Sequence, residues 1–230
     1  MEPAPLAAAA RDPEAFVRTQ TQILTPPLIP EIPLHLASEV IALWQMTEAE
    51  LEATGLPPPF WAFAWAGGQG LARHILDAPE TVRGKRVLDF GAGSGLVAIA
   101  AMMAGAREAV AADIDPFAAA AMRLNAKLNG VEIAVTTQDL IGTDAGWDVV
   151  LCGDVCYEKP LADRLLAWLT DLAHRGADVL IGDPGRTYLP RAHLVEVTAY
   201  AVQTSRELED TDVRNARVYR LAPRAGSSSA

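Results

Sequence analysis

The chain has 230 residues, half of them apolar and 21% charged, which is enough for one α/β domain with a sizeable core and an added segment. Nineteen Lys and Arg stand against 29 Asp and Glu, a formal charge of −10, which argues against a nucleic-acid backbone as the main partner because that affinity rests on cationic side chains. Cys152 and Cys156 fit neither a CxxC redox motif nor a zinc set, and no apolar run is long enough to span a bilayer, so metal and redox chemistry and a membrane partner are not expected.

Residues 1–58 are rich in Pro and Ala. The opening "MEPAPLAAAARDPEAF" carries Glu2, Asp12 and Glu14 and lacks the basic start of a secretion signal; the same acids are foreign to a mitochondrial presequence, so a cytoplasmic protein is expected. "TPPLIPEIPLHLA" cannot run as one helix, because each proline removes an amide donor. Two short helices fit, over 12–22 and 36–45, and Thr47 with Glu50 forms a Thr-x-x-Glu capping box for a further turn. With too little apolar sequence for a core of its own, 1–58 reads as a helical, proline-rich arm or lid. The main domain is expected over 59–222 and a disordered tail over 223–230.

From Lys85 strands and helices alternate. "KRVLDF", "EAVAAD", "EIAVTT", "WDVVLCGD" and "ADVLIGD" read as short apolar strands. Between them "GLVAIAAMMAGA", "DPFAAAAMRLNAKLNG" and "KPLADRLLAWLTDLAHRG" read as helices, the second with Pro116 at its start and Gly130 at its end. A helix is expected near 191–200, then two late strands, "AVQTSRE" and "ARVYRL", forming an antiparallel edge hairpin. The pattern predicts a doubly wound, seven-stranded, mostly parallel sheet.

"VLDFGAGSG" at 87–95 places Gly91, Gly93 and Gly95 in the first strand-to-helix turn, where an open α/β sheet binds its ligand. A dinucleotide fingerprint needs a small residue at position 96, which is Leu96, and no Gly-Lys-Ser/Thr follows for a P-loop. Asp89, two before the first glycine, would repel a pyrophosphate but suit a cationic amino-acid ligand. Asp113 at the next strand end suits two ribose hydroxyls, and Asp139 is placed for an adenine amino group. Together these acids fit S-adenosylmethionine. The fourth strand ends "CGDVCYEK", where Asp154 and Tyr157 suit a nucleophile that begins as a cation, such as a lysine ammonium.

The motifs "PFWAFAWAGGQGLARHILD", "VLDFGAGSG", "DIDP", "GDVCYE" and "IGDPGR" resemble the seven-strand protein-lysine methyltransferases with an Asp-x-x-Tyr/Phe signature. Among them the chain is most similar, over about 59–186, to the electron transfer flavoprotein β-subunit lysine methyltransferases. That resemblance implies a class I methyltransferase fold and a protein substrate, with a monomer expected. It implies cofactor binding by Trp65, by Asp89 and the turn Gly91, Ala92, Gly93 and Gly95, by Asp113 with Ile114, by Asp139 with Leu140, and by Gly153. It also implies a substrate-side role for Asp154 and Tyr157, with Asp183 and Arg186 shaping the acceptor channel. Trp61 and Phe63 read as core, Gln69 fits either a cofactor contact or solvent, and the four histidines share no motif.

Overall fold

The computed structural model describes residues 12–37, 58–204 and 211–222. The described part of the N-terminal segment is helix α1 (Pro13–Gln20) followed by an antiparallel pair, β1 (Gln22–Leu24) and β2 (Leu34–Leu36). Asp12 caps α1 by accepting the Ala15 N–H at 3.1 Å, with Pro13 in the first turn, where its missing N–H costs nothing. A 3₁₀ turn at Phe60–Ala62 leads into α2 (Ala66–Asp77). The alternation then runs β3 (Arg86–Phe90), α3 (Leu96–Met103), β4 (Glu108–Ala112), α4 (Pro116–Leu128), β5 (Ala134–Thr136), β6 (Val149–Gly153), α5 (Lys159–Arg175) and β7 (Asp178–Asp183). The chain closes with β8 (Leu194–Gln203) and β9 (Val213–Leu221).

Seven strands form one sheet in the order β5-β4-β3-β6-β7-β9-β8. Every pair among β3 to β7 is parallel, and β9 runs antiparallel to both of its neighbours. Strand order therefore reverses between β3 and β6, and the crevice above their carboxyl ends is where such a sheet takes its ligand. The doubly wound reading and the edge hairpin hold.

Residues 191–200 correct the sequence reading. Instead of a helix, a 3₁₀ turn at Arg191–His193 gives way at Leu194 to the ten-residue strand β8. Val195, Val197 and Thr198 are β-branched, and the long antiparallel register with β9 rewards extension over a local helical bond. Of the other helices expected in the arm, Leu36 lies in β2, while the remainder of 36–45 and the capping box at Thr47 and Glu50 lie outside the described residues. The tail at 223–230 lies outside them as well.

The described part of the arm shares the main core. Phe16 of α1 packs edge-on against Trp61, and both meet Phe117 of α4, with centroids 5.0 to 6.5 Å apart. Ile29, Ile32 and Leu34 are fully buried in the same cluster. Asn125 of α4, also fully buried, ties the arm to the glycine turn: its Oδ1 accepts the His35 N–H at 2.7 Å and its Nδ2 donates to the Ser94 carbonyl at 2.8 Å. Asn125→Ala would take the partner from a part-buried N–H and from a buried carbonyl. It is expected to cost about 2 kcal/mol or more, read as a lower urea midpoint at unchanged m-value.

Candidate active-site cleft

A cleft of about 550 Å³ opens at the carboxyl ends of β3, β4 and β6, at the switch point of the sheet. Its floor is the glycine turn. Gly91, Gly93 and Gly95 adopt φ of 66°, 52° and 82°, a conformation that L side chains rarely adopt, and a Cβ on Gly91 would lie 2.7 Å from Val155 Cγ1. The Gly91 and Ala92 amides both donate to the Ala112 carbonyl, which anchors the turn to β4. Gly91 and Gly93 line the cleft, whereas Ala92 and Gly95 shape the turn from behind, Gly95 as the left-handed residue that opens α3.

Asp113 lines the opposite side. Its Oδ2 accepts the Gly93 N–H at 2.9 Å and its Oδ1 the Asp115 N–H at 3.0 Å. Each oxygen keeps acceptor capacity on the cleft side. Burial raises this carboxyl above the ordinary range against those two amide bonds. The neighbouring Ile114 is 74% exposed and forms an apolar rim. Asp139 also reaches the cleft, but as one half of an exposed ion pair with Arg164 of α5 at 2.8 Å. That hydrogen bond, with a second from the Ile141 N–H, lowers its carboxyl. Leu140 packs instead into the core cluster behind.

Asp89 does not line the cleft. It is 1% exposed and turned beneath the glycine loop, where its Oδ2 accepts the Ala98 N–H of α3 at 2.9 Å. Its carboxyl therefore supports the turn from below, rather than meeting a ligand face to face as the sequence reading had it. Burial pushes its carboxyl up to about 7, and burial pushes Asp115, which caps α4 through the Phe117 N–H, up to about 6.

The far wall is built on Asp154, the one non-glycine residue with positive φ (58°) among those described. Its Oδ2 accepts the N–H groups of Gly67 and Gly68 at the start of α2, and its Oδ1 accepts Nε of Arg186 at 2.9 Å and a terminal nitrogen of that guanidinium at 2.8 Å. The carboxylate thus combines a helix N-terminus with an ion pair. Gly67 makes this possible: a Cβ there would lie 2.3 Å from the Gly182 carbonyl and 2.6 Å from Asp154 Oδ2. Gly153 likewise lines the cleft and lies close to Gly68. The Arg186 guanidinium sits 5.7 Å from the centre of the Trp65 ring, whose Nε1 donates to the Phe60 carbonyl. Phe60 and Tyr157 stand 5.4 Å apart at the mouth, both partly exposed.

Of the three aromatics of the entry segment, Phe63 is buried in the core as expected and Trp65 lines the cleft, while Trp61 is buried and also borders the cleft. Gln69 is neither a cleft residue nor solvent-facing: it is 3% exposed, accepts the Leu28 N–H of the arm and donates to the Ala64 carbonyl. Cys152 and Cys156 are buried free thiols. Sequence reasoning passed over Phe60 and Arg164. Helical spacing offered a clue to the second, which follows Leu161 by three residues on α5, but its approach to Asp139 exists only in three dimensions.

The model of a known family, ribosomal protein L11 methyltransferase (PrmA), matches residues 74–156. An electron transfer flavoprotein beta subunit lysine methyltransferase from Xenopus laevis is 38% identical over 226 residues, spanning 95% of this chain and 91% of that protein. The chain belongs to that family. The human member is likewise 38% identical, over 92% of this chain and 84% of its own length. The class I methyltransferase fold of the family is seen in the solved structure of a putative RNA methyltransferase from Pyrococcus horikoshii. It is 16% identical, with a TM-score of 0.51 over 72% of this chain and 88% of that one, a likeness of fold alone.

Two outcomes follow from this geometry. Gly67→Ala would overpack the contact of α2 with β7 and push the helix start away from Asp154; a loss of about 1–3 kcal/mol is expected in thermal or urea unfolding. Asp89 and Asp115 hold protons in the folded state that the unfolded chain, with carboxyls near 3.8, releases. Their contribution to stability is therefore full below about pH 4 and falls as pH rises toward 7. Urea midpoints should decline over that window, and Asp89→Asn should flatten the decline.

Proposed function

We propose that the protein is an S-adenosylmethionine-dependent protein-lysine N-methyltransferase acting on the β subunit of electron transfer flavoprotein. The observation that carries this reading is the pairing, in one cleft, of a glycine turn and hydroxyl-accepting Asp113 with the wall formed by Asp154, Arg186 and Tyr157, in a chain of this family. The residues present suit the cofactor. The cleft has the volume of a small-molecule site, Asp113 keeps free acceptor capacity, and the glycines leave backbone where side chains would intrude. Gly91 and Gly93 would flank the amino-acid portion, Asp113 would hold the ribose, and Ile114 and the Asp139 loop would border the adenine. When bound, the cofactor supplies an electrophilic methyl group on a positively charged sulfur.

The chain's own residues then have three tasks. Phe60, Trp65 and Tyr157 make an aromatic passage that fits a long aliphatic side chain and excludes water from it. The Asp154 network fixes one wall of the passage at the tip of α2. Alignment of amine and methyl supplies most of the rate, as a direct displacement requires. The tyrosine hydroxyl is held protonated at neutral pH, since burial raises it further above its ordinary value near 10. The same reading has the protein acting as a monomer on a protein acceptor, without nucleic acid or membrane.

One observation favours a second acceptor, a ribosomal protein: the match to the L11 methyltransferase family. That match ends at residue 156, before Tyr157 and Arg186, and so covers the cofactor half of the cleft more than its acceptor wall. Purified electron transfer flavoprotein and ribosomal protein L11, incubated side by side with enzyme and methyl-labelled cofactor, separate the two. Label on lysines of the flavoprotein β subunit is expected; label confined to the ribosomal protein, or on glutamine or arginine, would sink the first reading. Asp113→Ala should weaken cofactor binding roughly 10- to 100-fold by calorimetry. Tyr157→Ala should lower kcat/KM at least tenfold while cofactor affinity stays within about twofold.

A further inference from the structure

Asp154 is poorly suited to hold the acceptor's ammonium directly. Its two oxygens already accept three N–H groups, two from α2 and one from Arg186 Nε, and a second guanidinium nitrogen lies 2.8 Å away. The α2 pair is held close to β7, with no room for a side chain between Gly67 and the Gly182 carbonyl. There is also a chemical objection. The acceptor nitrogen forms the new N–C bond with its lone pair, the electrons of the broken C–S bond stay on sulfur, and the proton of the ammonium must already have gone to solvent. A free lysine has a pKa of about 10.4, and a bare carboxylate beside it would raise that value and oppose the reaction.

We propose that Arg186 is a positioning residue that fixes the charge of the acceptor passage, so that a lysine meets a neutral carboxylate–guanidinium pair rather than a bare carboxylate and reacts as the free amine. The inference rests on the lysine-methyltransferase reading and adds to it the device that makes the amine neutral. Three features support it. The guanidinium lines the cleft beside both Asp154 and Trp65. Its side chain is 23% exposed and that of Asp154 only 6%, so their mutual attraction is weakly screened. The loop that carries it is pinned from below, since buried Asp183 accepts the N–H groups of Gly185 and Arg186 through one oxygen, at 2.6 and 2.7 Å. The first N–H groups of α2 still face Asp154 when the arginine is removed, and they favour a negative charge there.

The test is the pH dependence of the single-turnover methyl-transfer rate on electron transfer flavoprotein, which reports the bound amine. In Arg186→Gln the ascending limb should move up by roughly one pH unit, a roughly tenfold slower transfer at neutral pH, and the rate should rejoin the wild type at high pH. Acceptor affinity at neutral pH should not weaken. Arg186→Lys should restore the wild-type limb, and Asp154→Asn, which removes the negative member of the pair, should move it the other way. Asp113 and Asp115 after β4, the Asp139–Arg164 pair, Cys156, Tyr157 and Glu158 before α5, and Asp183 and Arg191 after β7 also surround the cleft. They are common to all these proteins and cancel in the comparison. Cofactor affinity and thermal midpoint confirm folding of each variant, and Asp154→Asn carries the test if Arg186→Gln does not fold. A uniform loss at every pH, or an unshifted limb, would overturn the role of Arg186 alone. A wild-type enzyme that transfers no methyl to lysine would overturn the lysine reading and this inference together.

Discussion

A single carboxylate joins the three parts that meet at the cleft. Asp154 leaves β6 in a left-handed turn and receives the first N–H groups of α2 on one oxygen and the guanidinium of Arg186, from the loop after β7, on the other. The helix start can come that close only because Gly67 and Gly182 meet backbone against backbone and Gly153 carries no side chain against Gly68. The entry segment, the fourth parallel strand and the fifth thus share one small electrostatic joint. The aromatic passage of Phe60, Trp65 and Tyr157 takes its shape from it.

The N-terminal segment is coupled to the opposite side of the same cleft. Asn125 holds the arm's His35 and the turn's Ser94 with one amide, and Gln69 holds the arm's Leu28 against the carbonyl of Ala64, next to Trp65. Two buried amide side chains therefore link a region of little intrinsic core to the floor and the wall of the site.

Much of this was legible in the sequence, for definable reasons. The sheet, its helices and the glycine turn are local features: apolar runs of strand length, proline at helix starts, glycine where φ must be positive. Asp113 and Tyr157 were found because strand ends in such a sheet have a fixed place. Residues 191–200 misled because an apolar, moderately periodic stretch is ambiguous until a partner strand exists, and that partner, β9, lies later in the chain. Asp89 misled differently. Its place at the end of the first strand is plain in the sequence, but the direction of its side chain is not, because the amide of Ala98 decides it. The Asp154–Arg186 pair spans 32 residues, and motif spacing gives no hint that the two side chains meet.

The φ of 58° at Asp154 narrows what this position can hold. Glycine would accept the backbone but bring no charge to α2. Glutamate would keep the charge, yet its longer stem has no short local bond to offset the left-handed conformation. Asparagine tolerates the backbone, but it would turn either an NH₂ toward the N–H groups of α2 or an NH₂ toward a guanidinium. Aspartate meets the steric and the electrostatic demand together, so a change at this one position is felt at once by the start of α2 and by the loop after β7.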